Sequence, residues 1–63
     1  METPDYTKTE LNISKNKLNE LPDDIHLYTN LQKLFCNNNK ITHLSNLPQN
    51  LKELYCQINK ITA

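Results

Sequence analysis

The sequence predicts a stacked solenoid of three turns, and three observations carry that expectation. The first is an internal repeat: Leu31-Gln-Lys-Leu-Phe-Cys-Asn-Asn-Asn-Lys-Ile-Thr42 is written again 20 residues later as Leu51-Lys-Glu-Leu-Tyr-Cys-Gln-Ile-Asn-Lys-Ile-Thr62. Leu31 aligns with Leu51, Leu34 with Leu54, Phe35 with Tyr55, Cys36 with Cys56 and Asn39 with Asn59. The second is the period itself, which falls in the range of arrays whose units bury an apolar side only by stacking on their neighbours. The third is what breaks the rival reading. Leu44, Leu47, Leu51, Leu54 and Ile58 also have helical spacing, but Pro48 lies inside that stripe, where it removes a helix hydrogen bond at a cost of about 3 kcal/mol. Asparagine clusters such as Asn37-Asn38-Asn39 are poor helix interior. A helical stripe also leaves the recurrence of Cys, Asn and Lys-Ile-Thr at one phase without a cause.

Taken in order, the chain opens with a polar lead-in, residues 1–7, that carries Pro4 and no periodicity. From Lys8 the repeat extends backwards: Leu11 falls where Leu34 and Leu54 fall, Ile13 where the cysteines fall, Asn16 with Asn39 and Asn59, and Leu18 with Ile41 and Ile61. The repeat unit therefore spans residues 8–63, with turns at 8–30, 31–50 and 51–63, the last incomplete. Lys8 stands where the other turns have Leu31 and Leu51, which suits a terminal repeat with one side in water. The first turn is three residues longer than the second, and the extra length lies in the segment from Pro22 to Asn30. The expected core is Leu11, Ile13, Leu18, Leu21, Leu31, Leu34, Cys36, Ile41, Leu44, Leu51 and Leu54.

Composition narrows the function. A chain of 63 residues is in the size range where only about 60% of the unfolded surface is buried, so the core is thin. Seven Lys balance seven Asp plus Glu with no Arg, which leaves no basic footprint for nucleic acid. No apolar run approaches the ~18 residues of a membrane span, and Met1-Glu2-Thr3-Pro4-Asp5 lacks the character of a secretory signal. A cytoplasmic location is the expectation, with neither nucleic acid nor membrane as partner. The Asn12-Ile13-Ser14 triplet matches the glycan acceptor pattern and, without a secretory signal, is read as coincidence.

Cys36 and Cys56 are separated by one repeat period, so each is read as the same inward-facing position, where a free thiol behaves as a small hydrophobe. A cytosolic location disfavours a disulfide between them. Metal ligation calls for closely spaced Cys and His, whereas His26 and His43 stand alone; no metal and no cofactor are expected. Catalysis is not expected either, because no nucleophile stands with a spaced His and acid, and no Gly is present to cradle phosphate.

The pattern Leu-x-x-Leu-x-Cys-x-x-Asn-x-Ile-x-x-Leu resembles a leucine-rich repeat with Cys in place of the usual third Leu, over roughly Thr9 to the end. Leu21-Pro22 and Leu47-Pro48 make it similar to the short repeats of bacterial effectors and of amoebal giant-virus proteins, the latter in keeping with a composition rich in Asn and Lys. The resemblance implies an α/β-type solenoid: a short right-handed leucine-rich repeat coil with parallel strands on one face and irregular or 3-10 return segments. Lys33 to Asn37 and Glu53 to Gln57 are then strands. Leu34, Cys36, Leu54 and Cys56 point inward, and Lys33, Phe35, Asn37, Glu53, Tyr55 and Gln57 point outward, joined by Glu10, Asn12 and Ser14.

Of these, Lys33, Phe35, Asn37, Glu53, Tyr55, Gln57, Glu10 and Asn12 are the candidate partner-binding set in a protein–protein interaction module. Phe35 and Tyr55 form the one aromatic pair at an equivalent outward position. They either stack for modest stability or anchor a protein partner, and Lys33 beside Glu53 reads as an exposed pair worth under about 1 kcal/mol. Asn16, Asn39 and Asn59 are expected to form a ladder that bonds the backbone where each turn leaves its strand. Two further roles stay open. One is assembly, in which the unfinished turn at 51–63 pairs as a homodimer or is capped by a natural continuation. The other, implied by the resemblance, is that the chain is the recognition segment of a longer effector such as a ubiquitin ligase, acting in host cytoplasm.

Overall fold

Three short runs, each with an apolar residue between two outward ones, become strands: β1 at Glu10–Asn12, β2 at Lys33–Phe35 and β3 at Glu53–Tyr55. The computed structural model describes residues 4–62. The strands form one parallel sheet in the order β1-β2-β3. The register pairs Leu11 with Leu34 and Leu34 with Leu54, with Asn12, Phe35 and Tyr55 aligned beside them. These are the positions that the sequence repeat also aligns.

Parallel neighbours cannot be joined by a tight turn, so the chain has to travel back between strands. The first return contains a 3-10 helix at Ile25–Leu27, the only helix among the described residues. It lies in the three-residue excess of the first turn. Both Leu-Pro pairs open a bend of the same kind: the Ile25 N–H donates to the Pro22 carbonyl at 3.1 Å and the Leu51 N–H to the Pro48 carbonyl at 3.3 Å. The result is a small three-stranded parallel sheet with almost no helix.

The strands are three residues long, not the five expected at Lys33 to Asn37 and Glu53 to Gln57. Ladder bonds do run on past them. The Ile13 N–H donates to the Phe35 carbonyl at 2.8 Å and the Cys36 N–H to the Tyr55 carbonyl at 2.9 Å. What stops the pleat is a left-handed residue at the aligned position of each turn: Lys15, Asn38 and Ile58 have φ of 59, 58 and 58°. A backbone in that region cannot continue an extended strand.

The buried core comprises Leu21, Ile25, Tyr28, Leu31, Leu34, Cys36 and Ile41. Six of the expected core residues, Leu11, Ile13, Leu18, Leu44, Leu51 and Leu54, are only partly buried against it. Their positions explain the difference: the middle turn has a neighbour on both sides and its Leu31, Leu34, Cys36 and Ile41 are all at 0% exposure, whereas β1 and β3 each have one strand partner. Ile25 and Tyr28 enter the core from the longer first return. Residues 1–3 of the lead-in, and Ala63, at which the third turn was expected to stop unfinished, lie outside the described residues. Tyr6, within the lead-in, packs edge-on against Tyr28 at 4.9 Å between centroids. Its hydroxyl donates to Asp24 Oδ2 at 2.6 Å.

Candidate functional site

Because side chains alternate along a strand, the parallel register sorts the outward residues into three rows that run across the sheet. The first row is charged. Lys33 sits between two glutamates, its Nζ 3.4 Å from Glu53 and 3.7 Å from Glu10. Glu53, supported by its hydrogen bond, raises the Lys33 ammonium above its ordinary value, with Glu10 adding to it. All three side chains are about half exposed, so these pairs fix orientation more than they stabilise.

The second row is Asn12, Phe35 and Tyr55. The two rings are parallel, with an interplanar angle of 4° and centroids 4.8 Å apart, which is the spacing of adjacent strands. Both rings are half-buried. The Tyr55 hydroxyl donates to Glu53 Oε1 at 2.8 Å, tying the aromatic row to the charged one. That bond lowers the Glu53 carboxylate below its usual range, Lys33 helping, and raises the Tyr55 phenol. Asn12 turns away from this arrangement: its Oδ1 accepts from the Ser14 backbone N–H at 3.0 Å and from the Ser14 hydroxyl.

The third row, Ser14, Asn37 and Gln57, lies past the strand ends. The side chains of Asn37 and Gln57 make no hydrogen bond among the described residues; their carbonyls instead accept from Lys15 and Asn38 N–H groups at 3.2 and 3.1 Å. The structure thus brings Glu10, Lys33, Phe35, Glu53 and Tyr55 into one contacting group, and leaves Asn12, Asn37 and Gln57 at its margin.

Behind the face, asparagine side chains clamp one turn to the one before it. Asn39 Oδ1 accepts from the N–H groups of Asn16 and Leu18, both at 3.0 Å, and its Nδ2 donates to the carbonyls of Ile13 and Cys36 at 3.0 Å. Asn59 repeats this one turn on, its Oδ1 accepting from Ile41 N–H at 3.0 Å and its Nδ2 donating to the Cys36 and Cys56 carbonyls at 2.9 Å. The expected third member, Asn16, is exposed and its side chain makes no such bond among the described residues. Asn39 and Asn59 both reach backwards, and among the described residues no earlier strand lies beside β1 for Asn16 to reach.

Cys36 and Cys56 both carry free thiols and line the core side, Cys36 buried and Cys56 half-buried. Burial pushes the Cys36 thiol above its ordinary value, the neighbouring Cys56 adding to the shift. Among the described residues no cluster of His, Cys, Asp and Glu converges on a metal position, and no helix is long and apolar enough to cross a membrane.

Sequence reasoning missed Tyr6, Asp24 and Tyr28. The available signal was the spacing Leu21, Ile25, Tyr28, an apolar run that continues into the segment where the first turn is three residues longer than the second. No family model, no curated protein and no solved structure matches this chain.

Proposed function

We propose that this chain is a non-catalytic leucine-rich-repeat module, a right-handed solenoid that presents its strand face to a protein partner. The observation that carries the reading is the Phe35–Tyr55 stack, two parallel half-buried rings flanked by Glu10, Lys33 and Glu53. Aromatic rings beside a polar rim are among the groups that interface hot spots favour. The aligned left-handed residues and the paired asparagine clamps support the repeat architecture, since each turn solves the same geometric problem with the same position. A cytoplasmic setting belongs to the same proposal. Replacing Phe35 and Tyr55 together with Ser tests it: affinity capture by the intact chain and by the double variant should differ in the partner retained, while both stay folded. Equal capture by a folded double variant would remove the strand face as the binding surface.

A second reading is favoured by one observation at the third turn. Leu51, Leu54 and Cys56 are half-buried where their counterparts in the middle turn are fully buried, and Ile58 is 71% exposed. Exposed sheet edges invite another chain, so the 63-residue chain would pair through residues 51–63. Head-to-tail stacking would set Glu53 beside the Glu10 of the next copy, a like-charge contact, and a two-fold pairing avoids it. Size exclusion with light scattering distinguishes the two readings.

A further inference from the structure

We infer that the strand face takes a tyrosine side chain of its protein partner in the groove between Phe35 and Glu10. The inference rests on the strand-face reading above and names the chemistry of the contact. Its template is inside the molecule. On one side of Phe35, Tyr55 stacks in parallel at 4.8 Å and its hydroxyl reaches the carboxylate two residues back on its own strand, Glu53, at 2.8 Å. On the other side, the same register position is Asn12, and the carboxylate two residues back is Glu10. The first turn therefore carries the acceptor without the ring.

Among the described residues the place for that ring is open. A groove there is lined by Lys8, Thr9, Glu10, Asn12 and Phe35. The Asn12 amide is folded onto Ser14 and so does not fill it. Strand spacing leaves one ring thickness per turn, so a planar group inserted over Asn12 meets Phe35 at the distance Tyr55 already shows. Charge decides among planar groups. Lys8 and Glu10 border the groove with opposite formal charges, which favours a neutral group over a guanidinium. Glu10 also retains acceptor capacity, because Lys33 lies closer to Glu53, at 3.4 against 3.7 Å. Among neutral planar groups with a donor, a phenol is the one whose ring and hydroxyl repeat the Tyr55–Glu53 arrangement, and stacking with a charge-assisted hydrogen bond is how it would be held.

The test is a titration of the intact chain with N-acetyl-tyrosinamide, followed by the NMR signals of the Phe35 ring, with N-acetyl-phenylalaninamide and N-acetyl-argininamide as comparison probes. The tyrosine probe should shift Phe35 with millimolar affinity, several-fold tighter than the phenylalanine probe. Glu10→Gln should reduce that preference, and Asn12→Tyr, which supplies the missing ring from the chain itself, should abolish the response while leaving the protein folded. No shift at Phe35, no preference for tyrosine over phenylalanine, or tighter binding of the arginine probe would each overturn the inference. The Phe35/Tyr55 double-serine capture keeps the two proposals separable. If the probe fails and the double variant still loses its partner, only the tyrosine assignment falls; if the double variant keeps its partner, the strand-face reading falls whatever the probe does.

Discussion

Replacing Asn39 with alanine withdraws a side chain that is 7% exposed and sits between two turns. The cost follows from which of its partners are left alone. The Cys36 carbonyl keeps the Asn59 amide at 2.9 Å, and the Asn37 carbonyl keeps the Lys15 N–H at 3.2 Å. The Asn16 N–H belongs to an exposed residue and turns to water. Two groups remain orphaned, the Leu18 N–H and the Ile13 carbonyl. Both residues are half-buried, so against about 1–3 kcal/mol for each fully buried unsatisfied group the two together cost roughly 1–3 kcal/mol. A chain of this length has about 3–9 kcal/mol in total, so Asn39→Ala should lower the urea midpoint by a large part of its value. Asn59→Ala orphans the Ile41 N–H and a half-buried Cys56 carbonyl, and should cost about 1–3 kcal/mol. Asn16→Ala breaks no side-chain bond and should stay within about 0.5 kcal/mol. Urea titrations of the three variants by circular dichroism measure the gradient, with an unchanged slope required for the comparison. Equal costs at Asn16 and Asn39 would refute the backward clamp, because the sequence repeat makes these positions equivalent and only the stacking makes them different.

Ile58 is β-branched, exposed and left-handed at φ 58°, a conformation that costs such residues about 1–2 kcal/mol and that asparagine tolerates. Ile58→Asn, copying Asn38, should therefore raise the urea midpoint, by about 1 kcal/mol in stability; a lowered midpoint would mean that the Ile58 side chain packs. Leu34→Ala should cost about 2–5 kcal/mol and Leu54→Ala clearly less, since Leu34 is at 0% exposure and Leu54 is only partly buried; equal losses in urea would contradict the centred core. Stability against pH should also carry the mark of Glu53. Its folded value is depressed from 4.5, so its contribution is full above that pH and is lost as the pH falls through the lower folded value. Glu53→Gln should remove that part of the acid limb, and an unaltered limb would sever the link. Tyr55 has the opposite sign: raised above 10.0, it gives up its share as the pH rises through the folded value.

How much of this was legible depends on whether a residue has an aligned counterpart. Leu34 and Leu54, Phe35 and Tyr55, and Lys33 and Glu53 are neighbours in the sheet because they are equivalents in the sequence, and the alignment placed them. The asparagine ladder was legible as a type of contact but not in its direction, so Asn16 was counted with Asn39 and Asn59 although, among the described residues, it has no earlier strand to grip. Ile25 and Tyr28 were not legible as core, because the longer first return has no copy to compare with. The Tyr6–Asp24 bond spans 18 residues and joins the lead-in to that same uncopied segment. Strand length was overestimated because alternation continues through Asn37 and Gln57, while the left-handed turn just beyond them is set by backbone geometry. Ile58, unlike Asn38, gives no compositional sign of that geometry.

The claim at the centre of the account is that Phe35 and Tyr55 are held on the face for a partner and are not what holds the fold together. A double-mutant cycle in urea, with Phe35→Ser, Tyr55→Ser and both together, tests it most directly. Stacked aromatic pairs are worth about 0.5–1.5 kcal/mol beyond their burial, so the account predicts a coupling in that range and a double variant that still unfolds cooperatively with a small shift in midpoint. A double variant without a folded baseline, or a coupling far above that range, would contradict it, because the rings would then be part of the core and not a surface kept for binding.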